Sequence, residues 1–287
     1  ADDGLSENRE LWNELTRALA HGGMMEGYKN DPLPQMTRME RAAVAQYPYR
    51  RVLGMALHLV SWTRPDIAFV VCGLARFGDP TKCTWRHCQA LSRLVMYLYG
   101  TRKMGITYTG GLGVRGDPQV RGYVDADHAG NPETRKSMTG FVIMARGAAI
   151  SWTSSRQRIV AQSSYESELI ATRHVTAEFM AIEKDYFAIE QQPAPTPFKL
   201  GCDNQSVVHV ANGGGSVSKR KHVATRYFLV LEAVKERRVE LVKVDTDDNP
   251  SDIMTKSLGI DKFHKFRDII MGRKGNCGDA KEMGIRM

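Results

Sequence analysis

A chain of 287 residues, 42% hydrophobic and 25% charged, suits two packed units at roughly 100 to 200 residues apiece. It holds no apolar run near the ~18 residues of a membrane span, which excludes a spanning segment of that kind and leaves a soluble protein with no membrane partner as the expectation. Lysine and arginine outnumber the acids by 40 to 32, a net charge of +8, which favours a polyanionic partner because each neutralised phosphate releases condensed counterions; nucleic acid leads, with an anionic membrane surface behind.

The chain opens on ADDGLSENRE, polar, acidic and without Met, unlike the basic-then-apolar start of a secretory signal; it reads as a piece of a longer polyprotein. Residues 1–46 join an amphipathic stretch around LWNELTRALA to HGGMMEGYKNDPLPQM and are expected to form a tether or truncated edge, with Met24, Met25 and Met36 as loop or packing residues. From Tyr47 to Tyr99 apolar residues recur at helical spacing in YRRVLGMALHLVSW, PDIAFVVCGLARF and TWRHCQALSRLVMYLYG. Three helices follow, with Thr63 and Asp79 as cap or turn residues and Pro65 near a helix start. Cys72, Cys83, Cys88, Cys202 and Cys277 are odd in number and scattered, which suits free thiols in a reducing compartment. Cys83, His87 and Cys88 lack a second ligand pair at zinc-site spacing, so no metal is expected there.

Beyond Gly105 the pattern turns to alternation in GITYTG, VRGYVDAD, MTGFVIMA and AAISWTS, which reads as an antiparallel meander. A helix is predicted over about 164–189, ended by QQPAPTP, whose prolines cannot continue it. Then come a strand FKLGCD, a short helix NQSVVHVAN, a flexible basic loop GGGSVSKRKH, a helix VATRYFLVLEAVKERR, a strand VELVKV and a last helix SDIMTKSLGIDKFHKFRDII. From VRGYVDAD onward this order makes a five-stranded mixed sheet flanked by helices, an α/β (α+β) fold, with ligands expected beyond the carboxyl ends of its parallel strands.

Four acids fall where such a sheet could gather them. Asp125 closes the first strand of the meander and Asp203 closes FKLGCD, so neighbouring strands would bring their carboxylates out side by side. Glu168 lies in the first turns of the long helix, expected on the rim where helix meets sheet edge, and Asp252 opens the last helix. Crowded carboxylates repel and hold raised pKa values, a cost that a divalent cation removes. Each also has an ordinary reading, since Asp at a strand end or helix start caps turns and backbone amides. Asp127, nearer Gly130, is the turn former of the pair, and Glu166 fits a capping box with Ser163.

The strings MTRMERAAVAQYPYRRVLG, TRPDIAF, MYLYGT, GYVDADHAG, RKSMTGFV, ISWTSSRQRIVAQSSYESELIA, CDNQSVVHVAN, KRKHVATRYF and NPSDIMTK, in this order, resemble the C-terminal part of the Pol polyprotein of copia-type LTR retrotransposons, the tobacco Tnt element type above all. The likeness runs from about Gln35 to Ile270. It implies the end of a reverse transcriptase in 1–46, a helical connection region in 47–110, a ribonuclease H-like domain in 111–270 and a tail in 271–287. It also implies that Asp125, Glu168, Asp203 and Asp252 are the catalytic, metal-binding set for Mg2+ or Mn2+, two ions in number. Glu168 is taken over Glu166, the fallback, because ELIA resembles the E-L-x-A pattern of retroviral ribonuclease H domains. The protein would then be intracellular, in virus-like particles or the nucleus, with the upstream reverse transcriptase segment of the same polyprotein as a partner. No Tyr-x-Asp-Asp string occurs, so DNA synthesis by this chain alone is not expected. His128 stands where the family has Trp, and no histidine-bearing loop is evident before Asp252, departures that bear on product release or the second metal.

The activity implied is metal-dependent hydrolysis of the RNA strand of an RNA/DNA hybrid, leaving 5′ phosphate and 3′ hydroxyl ends. Lys219, Arg220, Lys221, His222 and Arg226 could track hybrid phosphates, or simply solvate a loop, with Arg135 and Lys136 as further candidates. Asn204, Gln205 and Gln162 could reach 2′ hydroxyls. Trp152 is expected in the core, and His174 and His209 at the surface or satisfied. The competing expectation is a non-catalytic nucleic-acid-binding connection module of a decayed or truncated reverse transcriptase. An integrase or transposase with the same sheet is disfavoured by the helices before it and the absence of zinc-finger spacing.

Overall fold

In the computed structural model the described residues are 36–108, 120–130, 134–190, 197–213 and 221–273, with only the backbone described at 186, 187, 189, 190 and 221–227. The stretch around LWNELTRALA, the tail beyond 273 and most of the basic loop, including Lys219 and Arg220, lie outside them. By contacts the chain divides into a helical unit, 1–105 with 257–265, and a sheet-bearing unit, 106–256 with 266–287.

The helical unit contains α1 (Arg38–Gln46), α2 (Tyr49–Trp62), α3 (Ala68–Ala75) and α4 (Trp85–Gly100), with a 3-10 turn Pro65–Ile67 ahead of α3. Helix α1 lies inside the expected tether: Thr37 and Glu40 form a capping box around its first turn, an N-terminal signature that MTRME carries in the sequence. Thr63 proves to be the C-cap of α2, and Asp79 turns the chain by accepting the Thr81 N–H at 2.9 Å. The His87 ring is held by its neighbours. Its Nδ1 accepts the Thr84 N–H at 2.9 Å and its face stacks on Phe77 at 3.7 Å, while the Cys83 and Cys88 sulfurs lie 3.9 Å apart. Burial drives the His87 pKa down to about 4.

The sheet-bearing unit has β1 (Arg121–Asp127), β2 (Met138–Ala145), β3 (Ala148–Arg156), α5 (Ser164–Glu190), β4 (Phe198–Cys202), α6 (Gln205–Ala211), α7 (Lys221–Lys235) and β5 (Val239–Lys243). The five strands form one mixed sheet in the order β3-β2-β1-β4-β5, antiparallel from β3 to β1 and parallel from β1 to β5. GITYTG does not join it as far as it is described: residues 105–108 form no strand, and Thr107 N–H donates instead to the Met271 carbonyl at 2.9 Å. Inward-pointing Val124, Phe141, Ile143, Leu200 and Leu241 pack against Leu169, Val175 and Phe179 of α5 in one core, with Phe179 stacked on Phe198 at 3.8 Å. Thr172 and Thr176 are buried on the same face because each hydroxyl donates to the carbonyl four residues back at 2.8 Å, which satisfies it without a partner from the sheet. Trp152, expected in this core, is only half-buried on β3.

The expected single last helix is two elements. Pro250–Met254 is a 3-10 turn and α8 runs Ile260–Ile270. Asn249 caps the turn, Pro250 starts it, and Gly259 separates it from α8.

Candidate active site

The parallel pairing of β1 with β4 ends at Val124 opposite Cys202, so the residues that follow, Asp125 still on β1 and Asp203 just past the end of β4, come at the same level. A third acid arrives from the 3-10 turn. Asn249 Nδ2 donates to the Val124 carbonyl at 3.0 Å while its Oδ1 accepts from the Ser251 hydroxyl at 2.6 Å, which pins the turn to β1 one residue before Asp125. The Ser154 hydroxyl adds a bond to the Met254 carbonyl at 2.6 Å. Gly140, the cross-strand partner of Asp125, leaves the room: a Cβ there would lie 2.5 Å from Thr255 Cγ2 and 2.7 Å from Met254 Cβ. Oxygens of Asp125, Asp203 and Asp252 consequently lie within 4.8 Å of one another.

Glu168 enters from α5. It is buried at 5% exposure rather than on the rim, because it shares the sheet-facing stripe of Thr172, Val175 and Phe179. It joins Cys202 and Asp203 in a second group of possible ligand atoms within 4.8 Å of one another. Glu166 is occupied at the helix start: its N–H donates to Ser163 Oγ at 3.2 Å and its carboxylate accepts the Gln162 N–H at 2.8 Å. The side chain therefore reaches one residue beyond the expected cap.

Electrostatics make this cluster expensive as it stands. Burial pushes the Asp125 carboxyl up to about 6; Lys256 and a hydrogen bond from the Thr255 hydroxyl oppose that rise, and Asp252 and Asp203 add to it. Burial, then the charges of Asp125 and Asp203, raise Glu168 well above the usual carboxylate range. Its Oε1 accepts the Ala126 N–H at 3.3 Å, while its buried Oε2 has no hydrogen-bond partner among the described residues. Lys256 Nζ lies 3.0 Å from Asp252 and 3.5 Å from Asp125. Burial acts to lower its pKa, but these carboxylates outweigh it and hold the ammonium charged. A buried oxygen without a partner forfeits its solvation, and a cation answers that lack. The oxygen set suits Mg2+ or Mn2+; the cluster could hold a divalent metal.

The remaining candidates are dispersed. Asn204 spends its Oδ1 capping α6, accepting from Ser206 and Val207 N–H at 3.1 and 3.2 Å, and Gln205 beside it is exposed. Lys221, His222 and Arg226 fall on α7, which begins two residues earlier than the sequence pattern indicates. Gln162, Arg135, His128, His174 and His209 are exposed, and Lys136 is half-buried. The sequence reading missed Lys256, Asn249, Cys202 and Gly140. Only Lys256 leaves a local signal, its i, i+4 spacing from Asp252.

The sequence is similar to the retrovirus-related Pol polyprotein from transposon TNT 1-94 of Nicotiana tabacum, 32% identical over 232 residues, which are 80% of this chain and 17% of that protein. Transposon RE1 of Arabidopsis thaliana has a Pol polyprotein 30% identical over 219 residues, 76% of this chain and 14% of that protein. Secreted RxLR effector protein 161 of Plasmopara viticola is 39% identical over 132 residues, 46% of this chain and 88% of that protein. No family model matches the chain. Among solved structures, LC11-RNase H1, isolated from compost, aligns over 48% of this chain and 94% of its own at 14% identity and a TM-score of 0.38. The structure of LC11-RNase H1 in complex with an RNA/DNA hybrid aligns over 50% and 97% at 16% identity and a TM-score of 0.36. The chain spans only 14 to 17% of the length of the two Pol polyproteins. It belongs to the Pol polyproteins of copia-type transposons, matched over about four-fifths of its length, and its sheet-bearing unit is built on a five-stranded mixed sheet.

Proposed function

We propose that the sheet-bearing unit is the ribonuclease H domain of a copia-type Pol polyprotein and hydrolyses the RNA strand of RNA/DNA hybrids during reverse transcription. The domain runs over 111–270, with 47–110 as the connection region that follows a reverse transcriptase. The observation that carries this reading is the convergence of Asp125, Asp203 and Asp252 within 4.8 Å, with Glu168 grouped on Asp203. Mg2+ or Mn2+, when bound, supplies activation of the attacking water and stabilisation of the leaving 3′ oxygen. The chain's own part is to fix the donors: Asn249 holds the turn bearing Asp252 against β1, and the Ala126 N–H orients Glu168. Gln205 and the Asn204 amide flank Asp203, where a 2′ hydroxyl would distinguish RNA from DNA. Lys219, Arg220, Lys221, His222 and Arg226 supply positive charge for the hybrid's phosphates.

The test is cleavage of an end-labelled RNA/DNA hybrid with Mg2+ or Mn2+, with duplex RNA and duplex DNA as controls. The wild-type chain cuts only the RNA of the hybrid, and Asp203→Asn does not. Equal, background-level cleavage by both would overturn the enzyme and leave a non-catalytic binding module.

A further inference from the structure

The acidic cluster is two overlapping donor groups that share Asp203, and they are compensated unequally. On the Asp125–Asp252 side lies a side-chain ammonium, Lys256 Nζ, 3.0 Å from one carboxylate and 3.5 Å from the other. The same 3-10 turn that delivers Asp252 delivers this lysine, since the Lys256 N–H donates to the Asp252 carbonyl at 3.1 Å. On the other side, among the described residues, Glu168 takes one backbone N–H and its buried Oε2 takes nothing.

We propose that Lys256 is a resident cation filling one half of the cluster, so that a single divalent ion enters readily on the Glu168–Asp203 side and a second binds only by expelling the lysine ammonium. The proposal rests on the reading above only in supposing that divalent cations enter the cluster at all. Two cations contesting the same carboxylates exclude each other. The apparent affinity of the second metal ion is therefore reduced by the fraction of molecules in which the ammonium has moved away. The exit is open, because the Lys256 side chain is 34% exposed whereas those of Asp125 and Asp252 are 3% and 0% exposed. Without metal the same ammonium offsets carboxylates that would otherwise be buried uncompensated. Lys256 is thus a positioning residue for the metal-free site and sets how many ions it takes.

The experiment is a calorimetric Mn2+ titration of the full chain, without nucleic acid, comparing wild type with Lys256→Met. Wild type is expected to bind one ion, with a second weaker by about tenfold or more. In Lys256→Met the second site tightens by a similar factor, and the melting temperature falls without metal but recovers in saturating Mn2+. Identical isotherms, or no Mn2+ bound by either protein, would overturn the proposal. If Lys256→Met does not fold, acetylation of the wild-type Lys256 amine, read by mass spectrometry, decides. Reactivity rises severalfold at Mn2+ concentrations that fill the second site, and unchanged reactivity overturns it. Loss of hybrid cleavage with this binding pattern intact would count against the nuclease alone.

Discussion

Asp66 in the helical unit and Asp125 in the sheet-bearing unit are equally buried, at 3% and 2% exposure, and their surroundings differ. Asp66 receives Arg64 through two hydrogen bonds of 2.8 and 2.7 Å and the Tyr97 hydroxyl at 2.7 Å, and Arg64 in turn donates to Thr101 Oγ1 at 2.8 Å. Each charge there has a matched opposite. Asp125 instead shares one ammonium with Asp252, in a group that also includes Asp203. A completed buried pair holds a structure in one geometry, whereas an under-compensated cluster retains unmet capacity for a cation. The second condition leaves room for a cation, and the rigid supports around Asn249 and Gly140 hold it open.

The contrast breaks most sharply at Asp66. Asp66→Ala strands the Arg64 guanidinium and is expected to cost about 3–5 kcal/mol in urea unfolding, while Mn2+ binding by the folded protein stays unchanged. Next in size, Asp203→Asn lowers single-turnover hybrid cleavage by about 100-fold or more. The same urea titration finds its stability unchanged or raised, because it removes a charge from a repelling group. Gly140→Ala forces a methyl against Met254 and Thr255. A loss of about 1–3 kcal/mol follows, together with weaker Mn2+ binding, since the displaced turn carries Asp252; calorimetry checks the latter.

Opposite in sign in the two units is the response to acid. His87 titrates near 4 when folded against 6.5 unfolded; between these values the unfolded chain binds more protons, so its contribution is lost as pH falls through that window. Asp125 titrates near 6 when folded against 3.8 unfolded; the folded chain then binds more protons, and the metal-free site gains stability as pH falls from about 6 toward 3.8. Urea midpoints across pH for wild type, His87→Gln and Asp125→Asn separate the two, with the first variant losing less in acid than wild type and the second gaining less. Parallel curves would contradict both assignments.

Strand and helix periods made most elements legible: MTGFVIMA coincides with β2, and FKLGCD overlaps β4 up to its final aspartate. The adjacency of β1 and β4, which sets Asp125 beside Asp203, enters the sequence reading only as a condition: the two carboxylates emerge side by side if those strands are neighbours. What no local pattern carried was the approach of the turn. In the sequence Asp252 reads as the opening of a helix because SDIM continues the apolar spacing of α8. Its actual place depends on Asn249 bonding to a strand 125 residues away and on Gly140 lacking a side chain. Glu168 lies deeper than its place in the sequence implies for a related reason, since burial of a helix's first turns depends on how far the sheet extends beneath it. Lys256 carries no distinctive signal because a lysine four residues after an aspartate is an ordinary helical pair, and only the folded turn aims it at Asp125 as well.

Anomalous diffraction from crystals of the chain soaked in Mn2+ tests the account most directly. A peak bounded by the carboxylates of Asp125, Glu168, Asp203 and Asp252 is expected, nearer Glu168 and Asp203 at low concentration. Crystals saturated with Mn2+ that show no density among these four acids, or the ion held elsewhere, would contradict it.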